Sequence, residues 1–250
     1  MTIDAQDGQN GPAPTRARRR RERERAAARE AILSAARELA RSEGWETVTM
    51  RRLAERIDYS TNFSYRYFTG RDDILLTLIR DGFARLRDAM DTAGRRPAAE
   101  SAAEASDTDV PDGTDVAAIR RAAHAYLDFA LTEPDLYQLM YGLGGVRMPA
   151  ADTWVEGQAV GDVLTGLLAA AGDRQPEQHV LQLWATAHGL VALLVVGRVD
   201  VDSAALHALL EEALTDCLTR ALPAPASPAS PTSPRHSGRS AAEPTGKRQL

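Results

Sequence analysis

Cysteine is almost missing from this chain: Cys217 is the only one in 250 residues. That excludes an internal disulfide and any zinc site built on several cysteines, and it suits a reducing compartment. Aromatic residues make up only 5%, and Ala and Leu dominate without β-branched enrichment, a balance that favours helix over strand. No uninterrupted apolar run reaches the ~20 residues that a membrane span needs. The longest candidate, Leu190–Val196, is closed off by His188 and Arg198. The arginines near the N-terminus lead into no apolar segment, so the pattern of a secretory signal is missing. His124, His179 and His188, among scattered acids, show no metal-binding spacing such as HExxH. The expectation is a cytoplasmic protein with no membrane segment, no metal and no cofactor.

What is present is a core and an uneven charge. Apolar residues make up 44% of the chain, enough to fill one large or two small domains. The net charge of −5 argues against a nucleic-acid partner only until the charge is located. Residues 15–80 hold sixteen arginines against ten acids, while residues 81–250 hold fourteen basic residues against twenty-three acids. A basic first third on an acidic remainder is the electrostatic outline of a DNA-reading head on a regulatory body.

The most informative stretch is residues 48–75, VTMRRLAERIDYSTNFSYRYFTGRDDIL. Leu53, Ala54 and Ile57 recur at helical spacing, predicting a short helix over Met50–Ile57 with Thr49 as its N-cap. Asp58-Tyr59-Ser60 breaks the pattern, and Ser60 can cap a second helix over Thr61–Phe68. Thr69-Gly70 ends it, and Asp72 and Asp73 open the next helix where its dipole favours acids. Two short helices about a tight turn form the plan of a helix-turn-helix.

This stretch resembles the N-terminal domain of the TetR/AcrR family of bacterial transcriptional regulators. The resemblance is carried by Ala31-Ile32-Leu33, Ala36, Gly44, Thr47-Val48-Thr49, Leu53-Ala54, Ser60, Tyr65-Arg66-Tyr67-Phe68, Arg71 and Leu75. A second segment, Ala125 to Tyr141, together with Trp184-Ala185-Thr186-Ala187-His188-Gly189, resembles the Trp-x-x-x-His-Gly C-terminal domain of one subgroup. The family pattern usually has Gly at Asp58, a small aliphatic at Tyr59, Thr or Ala at Phe63 and often Leu at Ser64. Asp tolerates the left-handed backbone such a turn needs.

The resemblance implies an all-α protein, with an N-terminal three-helix helix-turn-helix DNA-binding domain and a C-terminal helical bundle for ligand binding and dimerisation. The expected boundaries are a disordered basic arm over 1–25, the DNA-binding domain over 26–70 and a connecting helix over 71–93. A flexible linker follows over 94–113, then the helical bundle over 114–221 and a Pro/Ser-rich tail over 222–250. Within the bundle, helices are expected at 114–132, from Pro134, and at 152–171, 176–198 and 203–220.

Thr61, Asn62, Phe63 and Arg66 are the candidates for reading base edges, since Asn suits adenine, Arg suits guanine and an apolar group suits the thymine methyl. Thr49, Ser60, Ser64, Tyr65, Tyr67 and Arg71 are the candidates for phosphate contacts. The arginine run over 16–25 reads either as a DNA-contacting arm or as a solvated helical extension braced by Glu22 and Glu24. Tyr126, Phe129, Tyr137, Met140, Tyr141, Trp154, Trp184 and His188 are the candidate lining of a pocket for a small apolar effector. Trp184 and His188 read first as a packed aromatic and a satisfied core or interface histidine, and a place in the ligand cavity is the other reading.

The expected function is a homodimeric transcriptional regulator, in the sense of a repressor. It would bind a palindromic double-stranded operator and be released by a small-molecule effector. An effector-independent architectural protein is the alternative; a helical enzyme is the remaining one, with Cys217 its only hint.

Overall fold

The computed structural model describes residues 15–96 and 114–222. The expectations for residues 1–14, for all but the start of the 94–113 linker and for nearly all of the tail lie outside the described residues. Among the described residues every regular element is helical.

Helix α1 spans Arg16–Glu43. Thr15 caps it by accepting from the Arg18 amide, and Gly44 ends it at φ 87°. The segment 16–25, assigned above to a disordered arm, is instead the first part of this helix. Arg18–Glu22 and Arg20–Glu24 pairs brace it one turn apart. Ile32, Ala35, Ala36 and Leu39 form its buried stripe. After a 3-10 turn at Trp45–Thr47 comes α2, Met50–Arg56, capped by the Thr49 hydroxyl as its sequence predicts.

Asp58 takes φ 57°, the only positive φ of a non-glycine among the described residues, so the turn keeps its left-handed step without the family glycine. Helix α3 is shorter than expected, Thr61–Tyr65. Its bonding tightens at the end: the Arg66 and Tyr67 amides reach back three residues, to Phe63 and Ser64 carbonyls, and the α-helix stops there.

Helix α4, Arg71–Arg95, runs two residues further than expected. Ile74, Leu75, Leu78, Ile79, Phe83, Leu86 and Met90 line its buried side, so it belongs to both halves of the molecule. The second half contains α5 (Thr114–Thr132), α6 (Pro134–Tyr141), α7 (Trp154–Ala170), α8 (Pro176–Val195) and α9 (Ser203–Ala221). Pro134 starts α6, where its missing N–H costs nothing. Gly142 ends α6 in the left-handed conformation at φ 68°. A Cβ added at Gly82 would lie 2.6 Å from the Met140 sulfur, so α4 and α6 approach as closely as they do because position 82 has no side chain.

Helix α8 is, among the described residues, the one long and apolar enough by length and composition to cross a membrane, and 22% of its most apolar window is buried. Its inner residues Leu183, Ala187 and Val191 pack in the bundle. Leu181 and Leu193 of this helix are exposed, and so in part is Trp184, which borders the bundle interior.

Candidate functional site

The helix-turn-helix presents α3 on a scaffold that is tied together by arginines. Arg29 on α1 donates to the Tyr67 carbonyl at 2.6 Å, and its guanidinium lies 4.2 Å from the centre of the Phe68 ring. This anchor just past α3 was not foreseen; its signal is an arginine three residues before the buried Ile32, hence beside the core stripe. Arg71 donates from Nε to the Val48 carbonyl at 2.7 Å and from NH2 to the Trp45 carbonyl at 3.0 Å. Its remaining amino group stands 3.5 Å from Asp72. The residue named above as a phosphate donor therefore turns its fork inward and closes the entry to α2.

Among the base-reading candidates, Asn62 and Arg66 are exposed, while Thr61 and Phe63 are half-buried. Phe63 stacks on Tyr59, with centroids 4.0 Å apart and planes 11° from parallel. Tyr67 leans on its other side at 5.0 Å. The three rings brace α3, and the Phe63 ring is partly used up in that stack. Among the phosphate candidates, Tyr65 is 54% exposed, and Thr49 and Ser60 lie at the surface at the starts of α2 and α3. Ser60 holds the capping position, yet its side chain makes no capping bond, so its hydroxyl is free. Ser64 does not belong with them. It is fully buried, its hydroxyl has no partner, and a phosphate cannot reach it.

Besides the shared α4, the head meets the second half through α6 and the loop that follows it. The Trp45 indole N–H donates to the Asp135 carbonyl at 2.7 Å. Arg41 stands 3.7 Å from the Asp135 carboxylate, and Gly144 lies against the Trp45 ring. Helix α6 thus touches the head at its first turn, the loop after it touches the head again at Gly144, and Leu139, Met140 and Tyr141 between them reach the interior of the bundle.

That interior holds a cavity of about 720 Å³ between α4, α5, α6, α7 and α8. Tyr126, Met140, Tyr141, Trp154 and Trp184 line it, as expected from the sequence. Three candidates do not. Phe129 turns towards Arg85, whose guanidinium sits 5.9 Å from its ring centre. Tyr137 is completely buried behind the wall, and His188 lies with it, hydrogen-bonded to its hydroxyl at 2.7 Å. Burial pushes the Tyr126, Tyr137 and Tyr141 phenols up from their ordinary value and pushes the His188 imidazole down. The hydroxyls therefore stay protonated and His188 is neutral near pH 7. Most of the wall is apolar, with Arg147, Asp162 and Glu177 at exposed positions around it. The volume lies within the range of small-molecule sites.

A helix-turn-helix head joined by a shared helix to a bundle with a ligand-sized cavity defines a class of DNA-binding regulators. Residues 32–78 match the family model for bacterial regulatory proteins of the tetR family. Residues 119–217 match the tetracyclin repressor-like C-terminal domain. Solved structures agree. A protein of unknown function from Rhodococcus sp. RHA1 superposes with TM-score 0.61 at 24% identity, over 78% of this chain and 96% of that one. SCO4313, described as a candidate regulatory protein, gives TM-score 0.59 at 28% identity, over 79% and 98%. The flavonoid-responsive regulator FrrA gives 0.54 at 20% identity, over 79% and 98%. No curated protein matches the chain. The chain belongs to the TetR family, and it is a DNA-binding transcriptional regulator.

Proposed function

We propose that the protein is a homodimeric repressor that binds a palindromic operator and leaves it when an apolar small molecule occupies the cavity. The observation that carries this reading is the place of α6. It supplies Leu139, Met140 and Tyr141 to the cavity wall and holds the head through Asp135. A ligand that displaces α6 relative to α4 changes the pose of the head, and differential binding to two poses is the thermodynamic requirement for release.

Dimerisation is supported by the outer faces of the last two helices. Leu181, Leu193 and Val196 near or on α8 and Leu209 on α9 are 43–59% exposed. Apolar side chains gathered on neighbouring helices suit burial against a symmetry mate, and a two-fold pair of heads suits a palindrome. Base reading is assigned to Asn62 and Arg66, with support from Thr61 and Phe63. Backbone contact is assigned to Thr49, Ser60, Tyr65 and Tyr67. The subgroup with the Trp-x-x-x-His-Gly domain is proposed for the C-terminal half on Trp184, His188 and Gly189.

The size of the cavity favours this reading over an effector-independent architectural protein. The test is binding of purified protein to genomic fragments around its own gene against bulk DNA, repeated with candidate metabolites. Preferential binding that a metabolite abolishes is the expected result. Equal affinity for both DNAs would end the regulator reading in its specific form. Asn62→Ala and Arg66→Ala should change which sequence is preferred, while Tyr65→Phe should weaken all sequences alike.

A further inference from the structure

Four side chains from α5, α6 and α8 form an unbroken line of hydrogen bonds beside the cavity. The Trp184 indole N–H donates to the Tyr126 hydroxyl oxygen at 3.1 Å. The Tyr126 and Tyr137 hydroxyls are 2.7 Å apart, and the Tyr137 hydroxyl is 2.7 Å from Nδ1 of His188. Tyr126 and Trp184 line the cavity, while the fully buried Tyr137 and the half-buried His188 do not.

The donor inventory allows this line two complete arrangements. An indole only donates, each hydroxyl has one proton to give, and an imidazole nitrogen either donates or accepts. In the first arrangement His188 carries its proton on Nε2. Tyr137 donates to Nδ1, Tyr126 donates to Tyr137, and both hydroxyl protons are spent inside the line. In the second arrangement Nδ1 carries a proton. His188 donates to Tyr137, Tyr137 donates to Tyr126, and the Tyr126 proton is released towards the cavity, where the Tyr141 hydroxyl and a ligand oxygen are its acceptors. The two hydroxyls reverse by rotation, while the half-buried imidazole changes tautomer by giving its Nε2 proton to water and taking one from water at Nδ1. The line thus reverses with no net proton gained or lost, and its far end reads out which way it runs.

Building on the effector reading of the cavity, we propose that this line is a reversible relay that selects apolar ligands bearing a hydrogen-bond acceptor, such as a ketone, ester or ether oxygen. A ligand oxygen beside Tyr126 takes the released proton as its donor and draws the line into the second arrangement. The competing hydroxyls on the wall are those of Tyr141, which stands against Tyr126 and Trp184, and of Thr153. The Thr165 hydroxyl is spent on the Gly161 carbonyl, and Arg147 and Gln158 sit at exposed positions. The groups facing His188 are Tyr137 and Tyr141 from α6 and Trp184 from its own helix. None of these is charged near neutral pH, so the direction of the line is free to follow the ligand.

The test uses the full chain and two probes of nearly equal shape, 2-acetylnaphthalene and 2-isopropenylnaphthalene, which differ in a carbonyl oxygen. Calorimetry gives their affinities, and nitrogen-15 NMR of the His188 ring shows which nitrogen is protonated. The ketone should bind roughly three- to tenfold tighter, the worth of one net hydrogen bond. Saturation with it should move the His188 proton to Nδ1, while the hydrocarbon leaves it on Nε2. Tyr126→Phe should make the two probes equal, which separates this donor from the other wall hydroxyls, Thr153 and Tyr141. Tyr137→Phe should keep the ketone preference but silence the response of His188, because the line is cut behind the donor. Equal affinities in the unmodified protein, or a His188 ring indifferent to the ketone, overturn the relay and leave the cavity reading standing. Failure of both probes to bind overturns the two together.

Discussion

The indole N–H of Trp45 and the backbone carbonyl of Asp135 meet at 2.7 Å, ninety residues apart in sequence, and join the DNA-binding head to the helix that walls the cavity. Trp45 is 3% exposed, so the bond is sheltered from water. Its acceptor lies in the first turn of α6, whose other end closes the cavity.

Trp45→Phe should keep the ring and remove the donor. The expected loss is about 1 kcal/mol of stability, more if the Asp135 carbonyl finds no water. Hydrogen exchange should speed up in α6 and around residues 45–47 and stay unchanged in α9. An unaltered exchange pattern in α6 would show that the head is held by packing alone.

Arg71→Ala should act on folding before it acts on DNA. It strips two carbonyls, of Trp45 and Val48, of a charged donor. A loss of about 2 kcal/mol is expected in urea unfolding of the free protein. Arg71→Lys should restore only part of it, because an ammonium lacks the planar fork that reaches both oxygens. A variant as stable as the parent, yet weak on DNA, would return Arg71 to the phosphate contacts.

Ser64→Ala and Ser60→Ala should part company. The Ser64 hydroxyl is buried without a partner, so removing it should leave stability equal or raise it by up to about 1 kcal/mol, with DNA affinity unchanged. The Ser60 hydroxyl is exposed and unbonded, so its loss should lower affinity for every sequence without changing the order of preference. Fluorescence anisotropy on matched operators, together with thermal melts, distinguishes the two.

Stability should fall as the solution is acidified below about pH 6.5. Burial lowers the pKa of both His124 and His188 from 6.5; for His124 the neighbouring His207 and Arg120 push the same way, and the carboxylates of Asp128 and of Glu211, 2.8 Å from its Nε2, oppose them. A folded-state pKa below the unfolded one means that the unfolded chain binds protons first. The stabilisation from these two groups is therefore complete above 6.5 and is lost as pH drops towards their folded values. Urea midpoints between about pH 5 and 8 measure the slope. Replacing both histidines by Gln should flatten it, and a slope that survives both changes would place the titration elsewhere.

Short-range features were legible in the sequence, and long-range ones were not. Thr49 capping α2 and Asp58 in the left-handed turn follow from residues within four positions of each other. The buried stripe of α4 follows from periodicity alone. Ser64 could have been placed correctly, since it lies four residues before the core Phe68 and therefore on the same helical face. The inward turn of Arg71 could not, because it depends on where the carbonyls at 45 and 48 come to rest once α1 and α4 have packed. The line of hydrogen bonds behind Tyr126 has the same origin: it is fixed by partners brought from other helices. The cavity candidates on α5, α6, α7 and α8 were recovered where the side chain borders the open space, and lost where another side chain, as Arg85 does at Phe129, offered a competing contact.

The chain has three tryptophans, and they stand at three different stations. Trp45 is sealed between head and body, Trp154 stands 65% exposed beside the cavity, and Trp184 is hydrogen-bonded on its wall. Indole emission depends on polarity and hydrogen bonding, so each reports a separate event in the same molecule without any attached dye. Variants that keep one indole at a time would resolve, in a single stopped-flow experiment, whether ligand entry, rearrangement of the wall and loosening of the head occur together or in sequence.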